Sequence, residues 1–260
     1  MPSRRSISPR VHRSPRPRVD ESAELERIVA RSVAESERSR LTSQLEKYLG
    51  EIRAWNARGN LVAAGDLGRL VSRHVAESLA ILPVIDELRP RSVIDIGAGG
   101  GFPGIPLKLA RPEIALAMVE SRRMKALFLR RVGIALGLAS TWVWSMRVET
   151  LSALLGPAVS LEEAGAATGG DDIPRFRPEA DMLTARAVAS LSSLAEWSAP
   201  LVRPGGHLVA FKGSRLEGEL AEWRQAPGPW EEAGVQPISP EIRAVLLRRA
   251  DVSRETFGSR

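Results

Sequence analysis

Residues 91–104 read RSVIDIGAGGGFPG, and their types and spacing suit the binding of a nucleoside. Val93, Ile94 and Ile96 make a β-branched apolar run, as in a strand buried on both faces of a parallel sheet. Asp95 lies within it, and Gly97, Gly99 and Gly101 follow at alternate positions. Glycine at such a turn takes left-handed conformations and lets backbone approach a ligand closely. The next apolar run, Ile114 to Val119, delivers Glu120, 19 residues after Gly101. Ligands of open α/β sheets lie beyond strand C-termini, where an acidic side chain accepts both ribose hydroxyls. Two other readings stay open. Gly99-x-Gly101-x-x-Gly104 is also a dinucleotide fingerprint, with Pro103 sitting where the helix should already run. A glycine-rich turn without a ligand, and Glu120 as mere helix-start residue, is the second.

The surrounding elements must place these residues at one edge of a sheet. From Asp20 to about Arg58 the pattern is helical, with Leu41, Leu45, Tyr48, Leu49, Ile52 and Trp55 on one face and Gly59-Asn60 as the stop. Asp66 is predicted to cap a second helix carrying Leu70, Val71, His74, Leu79 and Leu82 and ending at Pro83. From residue 92 strands and helices alternate. Strands are predicted at 92–96, 114–119, 141–145, 181–185 and 207–212, with weaker candidates at 233–238 and 244–249. Helices fall near 103–110, with Pro103 or Pro106 in the first turn, then at 122–137, 149–155, 189–202 and 215–224. Arg203 to Gly206 reads as a turn. This order predicts an α/β fold, a doubly wound, mostly parallel Rossmann-like sheet of seven strands ending in a hairpin, with N-terminal helices packed on it. The predicted divisions are a tail at 1–19, a helical region at 20–90 and the nucleotide-binding domain at 91–260. Residues 156–179, rich in Gly, Ala, Asp and Pro, read as a loop insertion.

Composition narrows the chemistry. The chain has 260 residues and no Cys, which excludes disulfides, thiolate metal sites and a covalent Cys nucleophile. His12, His74 and His207 are far apart in sequence, so a His-based zinc site has little support. No apolar run approaches the roughly 20 residues of a membrane span. Of the net charge of +6, residues 1–20 hold six Arg against Asp20, leaving the rest of the chain close to neutral. Met1 to Val19 is rich in Arg, Ser and Pro and has almost nothing to bury. It reads as a tail touching RNA phosphates, as a transit peptide, or as an extension from an upstream start codon.

Asp95-x-Gly97-x-Gly99-x-Gly101 is the loop form of S-adenosylmethionine (SAM) methyltransferases. WNARGNLV (55–62), RHVAESL (73–79), DIGAGGGFPGIPL (95–107), Glu120-Ser121 with Lys125, RVE (147–149), ARAVASL (185–191) and FKG (211–213) extend the pattern. In this order and spacing they resemble the RsmG (GidB) family, bacterial guanine-N7 methyltransferases of 16S ribosomal RNA. The resemblance runs from about Leu41 to Trp223. Val62, where the family usually has Thr, Glu77, for its usual Asp, the 156–179 insertion and the tail depart from it. It implies SAM as cofactor, with Gly97 and Phe102 lining the loop and Glu120 on the ribose. Val148 and Glu149 would flank adenine, and Arg186 would reach the methionine end or the substrate. Ribosomal RNA or the small subunit is the implied partner of a cytoplasmic monomer, and no membrane is involved.

Guanine N7 has a free lone pair and no proton, so no general base is needed and no catalytic residue is assigned. Enzymes acting on exocyclic amines usually carry Pro-Pro after the fourth strand; here the site reads Thr184-Ala-Arg-Ala187. A 2′-hydroxyl acceptor would want a Lys-Asp-Lys-Glu set, which cannot be completed from Lys212 and Asp181. Arg73, His74, Arg186 and Lys212 are the candidate substrate contacts. A plain helix histidine bonded to Glu77, and a solvated Lys212, are their structural alternatives. A SAM-binding protein acting on another RNA, a protein or a small molecule is the alternative function.

Overall fold

The computed structural model describes residues 20–154, 158–166 and 177–251. The basic tail at 1–19, with the roles read for it, lies outside them. The N-terminal part comprises α1 (Glu21–Ser32), α2 (Glu35–Gly59), a 3-10 turn (Ala64–Arg69), a π-helical turn (Leu70–Val75), α3 (Ala76–Leu79) and α4 (Leu82–Leu88). The alternating part begins with β1 (Ser92–Ile96), α5 (Gly104–Ala110), β2 (Ala115–Val119), α6 (Arg123–Leu136), β3 (Thr141–Trp144) and α7 (Val148–Ser152). It continues through β4 (Ala158–Ser160), α8 (Leu161–Ala166), β5 (Arg177–Arg186), α9 (Leu191–Ser198), β6 (Val202–Lys212), α10 (Leu216–Trp223), β7 (Trp230–Pro237) and β8 (Arg243–Arg249).

The strands form one sheet in the order β3-β2-β1-β5-β6-β8-β7, with β4 paired to the start of β5. β8, inserted between β6 and β7, pairs antiparallel with both, and the other pairings are parallel. Side chains of β1 alternate between two cores. Val93 packs with the N-terminal helices, α5 and α6 on one face, and Ile94 and Ile96 with α7 to α10 on the other. This is the doubly wound arrangement that the strand–helix alternation predicts. α2 lies on α5 and α6 and buries the predicted Leu41, Leu45, Tyr48, Leu49 and Ile52, while Trp55 packs at 6.0 Å from Phe128. Each buried Leu or Ile contributes roughly 1.5–3 kcal/mol, which fixes α2 against the sheet more firmly than helix propensity alone.

Four expectations are corrected. The sheet has eight strands rather than seven, because β4 lies within the segment read as a loop. There, Leu161 and Ala164 are buried one turn apart, and Ser160 and Glu163 cap α8 reciprocally: the Ser160 N–H donates to the Glu163 carboxylate at 2.9 Å, and the Glu163 N–H donates to the Ser160 hydroxyl at 3.2 Å. β5 starts at Arg177 and reaches Val202 of β6 through Ala180, so residues 203–206 are an irregularity inside β6 and not a free turn. Pro83 opens α4 in its first turn, where its missing N–H costs little, instead of ending a helix. Asp66 caps nothing, because its carboxylate is engaged by Arg73 at 2.9 Å.

Candidate active site

The glycine loop is fastened to the ends of two strands. Gly97, Gly99 and Gly101 have φ of 64°, 57° and 99°, conformations that favour glycine. The N–H groups of Gly97 and Ala98 donate to the Val119 carbonyl of β2 at 2.8 and 3.2 Å. Glu120 continues this link, one carboxylate oxygen accepting from the Gly99 N–H at 2.9 Å and the other from the Arg122 N–H at 2.8 Å. Asp95 is wholly buried, accepting from the Gly104 N–H at 3.1 Å and the Thr184 hydroxyl at 2.9 Å. It ties β1 to α5 and β5 beneath the loop, and its side chain does not line the cleft.

Burial pushes the Asp95 carboxyl up to about 7, against the two hydrogen bonds that favour the anion. Between the ordinary value of 3.8 and about 7 the unfolded chain ionises while the native state keeps the proton. This group therefore removes stability as pH rises through that window, and its penalty is constant above it. Urea unfolding of Asp95→Asn should show a weaker decline over the window than the parent. Parallel stability–pH curves would mean that Asp95 is ionised throughout.

The N-terminal helices build the opposite wall. Asn60, with φ of 47°, ends α2, and the Asn56 side chain accepts from the Val62 N–H at 3.0 Å. This turn sets Leu61 and Val62 against Gly100. The Tyr48 phenol, its pKa raised by burial, donates to the Gly100 carbonyl at 2.6 Å. Its ring centroid lies 5.2 Å from that of Phe102. These contacts explain why WNARGNLV and the glycine loop act as one unit.

Charged side chains converge where the π-helical turn meets the end of β5. Arg186 donates to His74 Nδ1 at 2.6 Å and to Glu77 at 3.3 Å, and its guanidinium lies 5.3 Å from the Phe102 ring centroid. His74 stacks on Phe102 at 5.0 Å. Burial, then the charge of Arg186, lowers the His74 pKa to about 4, so the ring is neutral and accepts at Nδ1. His74 is thus bonded to Arg186, not to Glu77. Glu77 spans Arg186 and Arg73, with Arg73 Nε at 3.7 Å. Lys212 donates to the Ala189 carbonyl at 2.5 Å and to Glu219 at 2.7 Å, so it is neither solvated nor free for a phosphate.

A cleft of about 1170 Å³ runs between these walls, bordered by Gly97 to Gly100, Phe102, His74, Arg186 and Lys212. A second cavity of about 200 Å³ is lined by Val119, Ser121, Val148 and Glu149. Gly97 and Val188 border both spaces. The structure therefore gathers Gly97, Gly99, Phe102, Arg73, His74, Arg186 and Lys212 at one cleft and Val148 and Glu149 at its neighbour. Asp95 and Gly101 shape the loop from behind. Asn56 and Val188 lie within WNARGNLV and ARAVASL and Tyr48 on a predicted helix face, but what each of them touches was visible only after folding. No cluster that would hold a metal ion occurs among the described residues.

The site fits a nucleoside bearing an amino-acid tail. Two left-handed glycines, Gly97 and Gly99, open the backbone at the first cavity, the Glu120 carboxylate stands at the adjoining strand end, and an apolar slot begins at Val148. Solved structures share the fold. They include the O-methyltransferase TomG from Streptomyces achromogenes in complex with SAM (TM-score 0.51, 16% identity, 80% of this chain and 90% of that chain). An O-methyltransferase from Bacillus cereus in complex with SAH has a TM-score of 0.52 at 15% identity, covering 78% and 90%. A ribosomal RNA small subunit methyltransferase G from Roseiflexus sp. (strain RS-1) is 41% identical over 187 residues, 72% of this chain and 71% of that one. Its namesake from Roseiflexus castenholzii is 37% identical over 211 residues, covering 80% and 81%. Residues 41–229 match the family model described as GidB, rRNA small subunit methyltransferase G. The chain belongs to the GidB family.

Proposed function

We propose that this protein transfers the methyl group of S-adenosyl-L-methionine to N7 of a guanine in small-subunit ribosomal RNA. Carrying this reading is the cleft of a GidB-family chain, with a left-handed glycine loop fastened by Glu120 at one side and Arg186 at the other. When bound, SAM supplies an electrophilic methyl on a sulfonium. Gly97 and Gly99 give the backbone room beside it, Phe102 packs behind, and Glu120 offers its remaining lone pairs to the ribose hydroxyls. Val148 and Glu149 border the slot for the adenine edge. No side chain has to move a proton. His74 is neutral, but its Nδ1 is occupied by Arg186, and no Cys exists for a covalent route.

Arg186 is placed to hold the acceptor. One arm binds His74 and another Glu77, and its further N–H groups serve the guanine O6 beside N7. Glu77 offsets the charge that Arg186 would otherwise place near the sulfonium. Rate then comes from alignment of N7 with the methyl, the base having been taken out of its stack. In this reading the protein acts as a monomer in the cytoplasm, a view supported by candidate contacts that all come from one chain and by an RNA substrate.

Glu120→Gln tests the cofactor end. It removes charge-assisted hydrogen bonds worth roughly 1.5–3 kcal/mol each, so affinity for S-adenosylhomocysteine should fall at least about tenfold by calorimetry. A large loss of apo stability with unchanged affinity would make Glu120 a loop anchor only. The acceptor is tested in cells. N7-methylguanine is cleaved selectively by borohydride and aniline, and small-subunit RNA from a strain lacking the gene should miss one such site. An unaltered cleavage pattern would reject the reading.

A further inference from the structure

At the cleft Arg73 is matched by Asp66 and Glu77, Arg186 by Glu77 and Lys212 by Glu219, while exposed Arg215 on its border pairs with no carboxylate among the described residues. The junction of β2 and α6 gathers several such cations. Lys125 borders the same cleft, its ammonium 3.9 Å from the position a Cβ on Gly99 would take. Its side chain forms no ion pair or hydrogen bond among the described residues; burial lowers its pKa from 10.5, against the more distant charge of Glu120. Arg122 and Arg123 beside it are exposed and equally without a carboxylate partner, and the first turn of α6 holds no acid. Three of the four exposed large apolar side chains among the described residues also lie on α6: Met124 (44% exposed), Leu127 (46%) and Ile134 (83%).

Exposed apolar groups carry a cost in water, and interleaved with cations that have no carboxylate partner they suit a polyanion that also presents flat faces. We infer that Arg122, Arg123 and the first two turns of α6 bind the backbone of the RNA strand flanking the target nucleotide, with Lys125 holding a phosphate at the cleft mouth. This rests on the methyl-transfer reading, because the strand must enter the same cleft. Met124 and Leu127 follow the cations on the surface and supply contact to sugars or unstacked bases. The half-buried Lys125 loses hydration in the free protein and regains a partner when the phosphate arrives.

The test is RNA binding by full-length protein at several salt concentrations, with small-subunit ribosomal RNA as probe. Each phosphate contact to a single strand contributes roughly 0.7 to the slope of log affinity against log salt. The triple variant Arg122→Gln, Arg123→Gln, Lys125→Met should lose about 2 from that slope and bind at least tenfold more weakly at low salt. Its melting temperature and S-adenosylhomocysteine affinity should match the parent. The double variant Arg91→Gln, Arg248→Gln, at the end of the sheet where the parallel strands begin, controls for charge lost far from the cleft and should keep the parent slope. A triple variant with the parent slope and affinity would overturn the inference. Reduced S-adenosylhomocysteine affinity in Lys125→Met alone would give Lys125 to the cofactor carboxylate instead and overturn its phosphate role. If the parent itself neither binds nor methylates this RNA, the functional reading fails first.

Discussion

Arg186→Ala is expected to lower kcat/KM for methyl transfer about a hundredfold or more, with S-adenosylhomocysteine affinity changed far less. Arg186 is the group that the fold works hardest to hold. His74 accepts from it at 2.6 Å, Glu77 at 3.3 Å, and Phe102 lies under its guanidinium. Losing two charge-assisted hydrogen bonds to the acceptor at roughly 1.5–3 kcal/mol each amounts to a hundredfold or more in rate. The same change leaves the buried Glu77 short of a partner, so a fall of about 1–3 kcal/mol in stability should accompany it. Arg186→Lys restores the charge but not the fork that serves His74 and Glu77 together, and should recover stability better than rate. Full activity of Arg186→Ala in single-turnover assays would remove Arg186 from the reaction.

Gly101→Ala should be the most damaging single methyl in the loop. Its Cβ would sit 2.5 Å from Ile105 Cδ1 and 2.9 Å from the Tyr48 hydroxyl, at φ of 99°. The unfavourable backbone costs roughly 1–2 kcal/mol and the crowding another 1–3 kcal/mol. Relief by moving Tyr48 would break its bond to Gly100 and distort the cofactor loop. Gly133→Ala, within α6 and with nothing within 4 Å of the new Cβ, is the matched comparison and should stabilise by about 0.5–1 kcal/mol. Urea unfolding of the pair, with S-adenosylhomocysteine calorimetry on each, reads both effects. Equal stability of the two variants would show that the loop accommodates a side chain at Gly101.

Strong local signals carried most of the fold. The 3.6-residue spacing in α2, the β-branched run of β1 and the apolar run of β2 each bury an uninterrupted set, so pattern and structure agree. Weak signals failed where composition hid them. α8 has only Leu161 and Ala164 to bury, and the Ser160–Glu163 capping pair was the one readable sign of it. The segment from Asp66 to Pro83 looked like one capped helix, whereas ion pairing of Asp66 and a π-helical turn divide it. That turn brings His74 to Arg186, which lies 112 residues later, a contact no local pattern encodes. The glycines were legible because backbone geometry dictates their type, and Glu120 because it ends an apolar strand. Asn56 and Lys125 stood in motifs and Tyr48 on a helix face, but their roles were not legible, because these exist only across long-range contacts.

The most direct measurement of the central claim uses purified protein, methyl-labelled SAM and small-subunit RNA from cells lacking the gene. Nucleoside analysis after digestion should find the label as 7-methylguanosine at about one equivalent per RNA, and none in RNA already modified. Label in adenine amines, in ribose or in ribosomal protein, with no 7-methylguanosine, would contradict it.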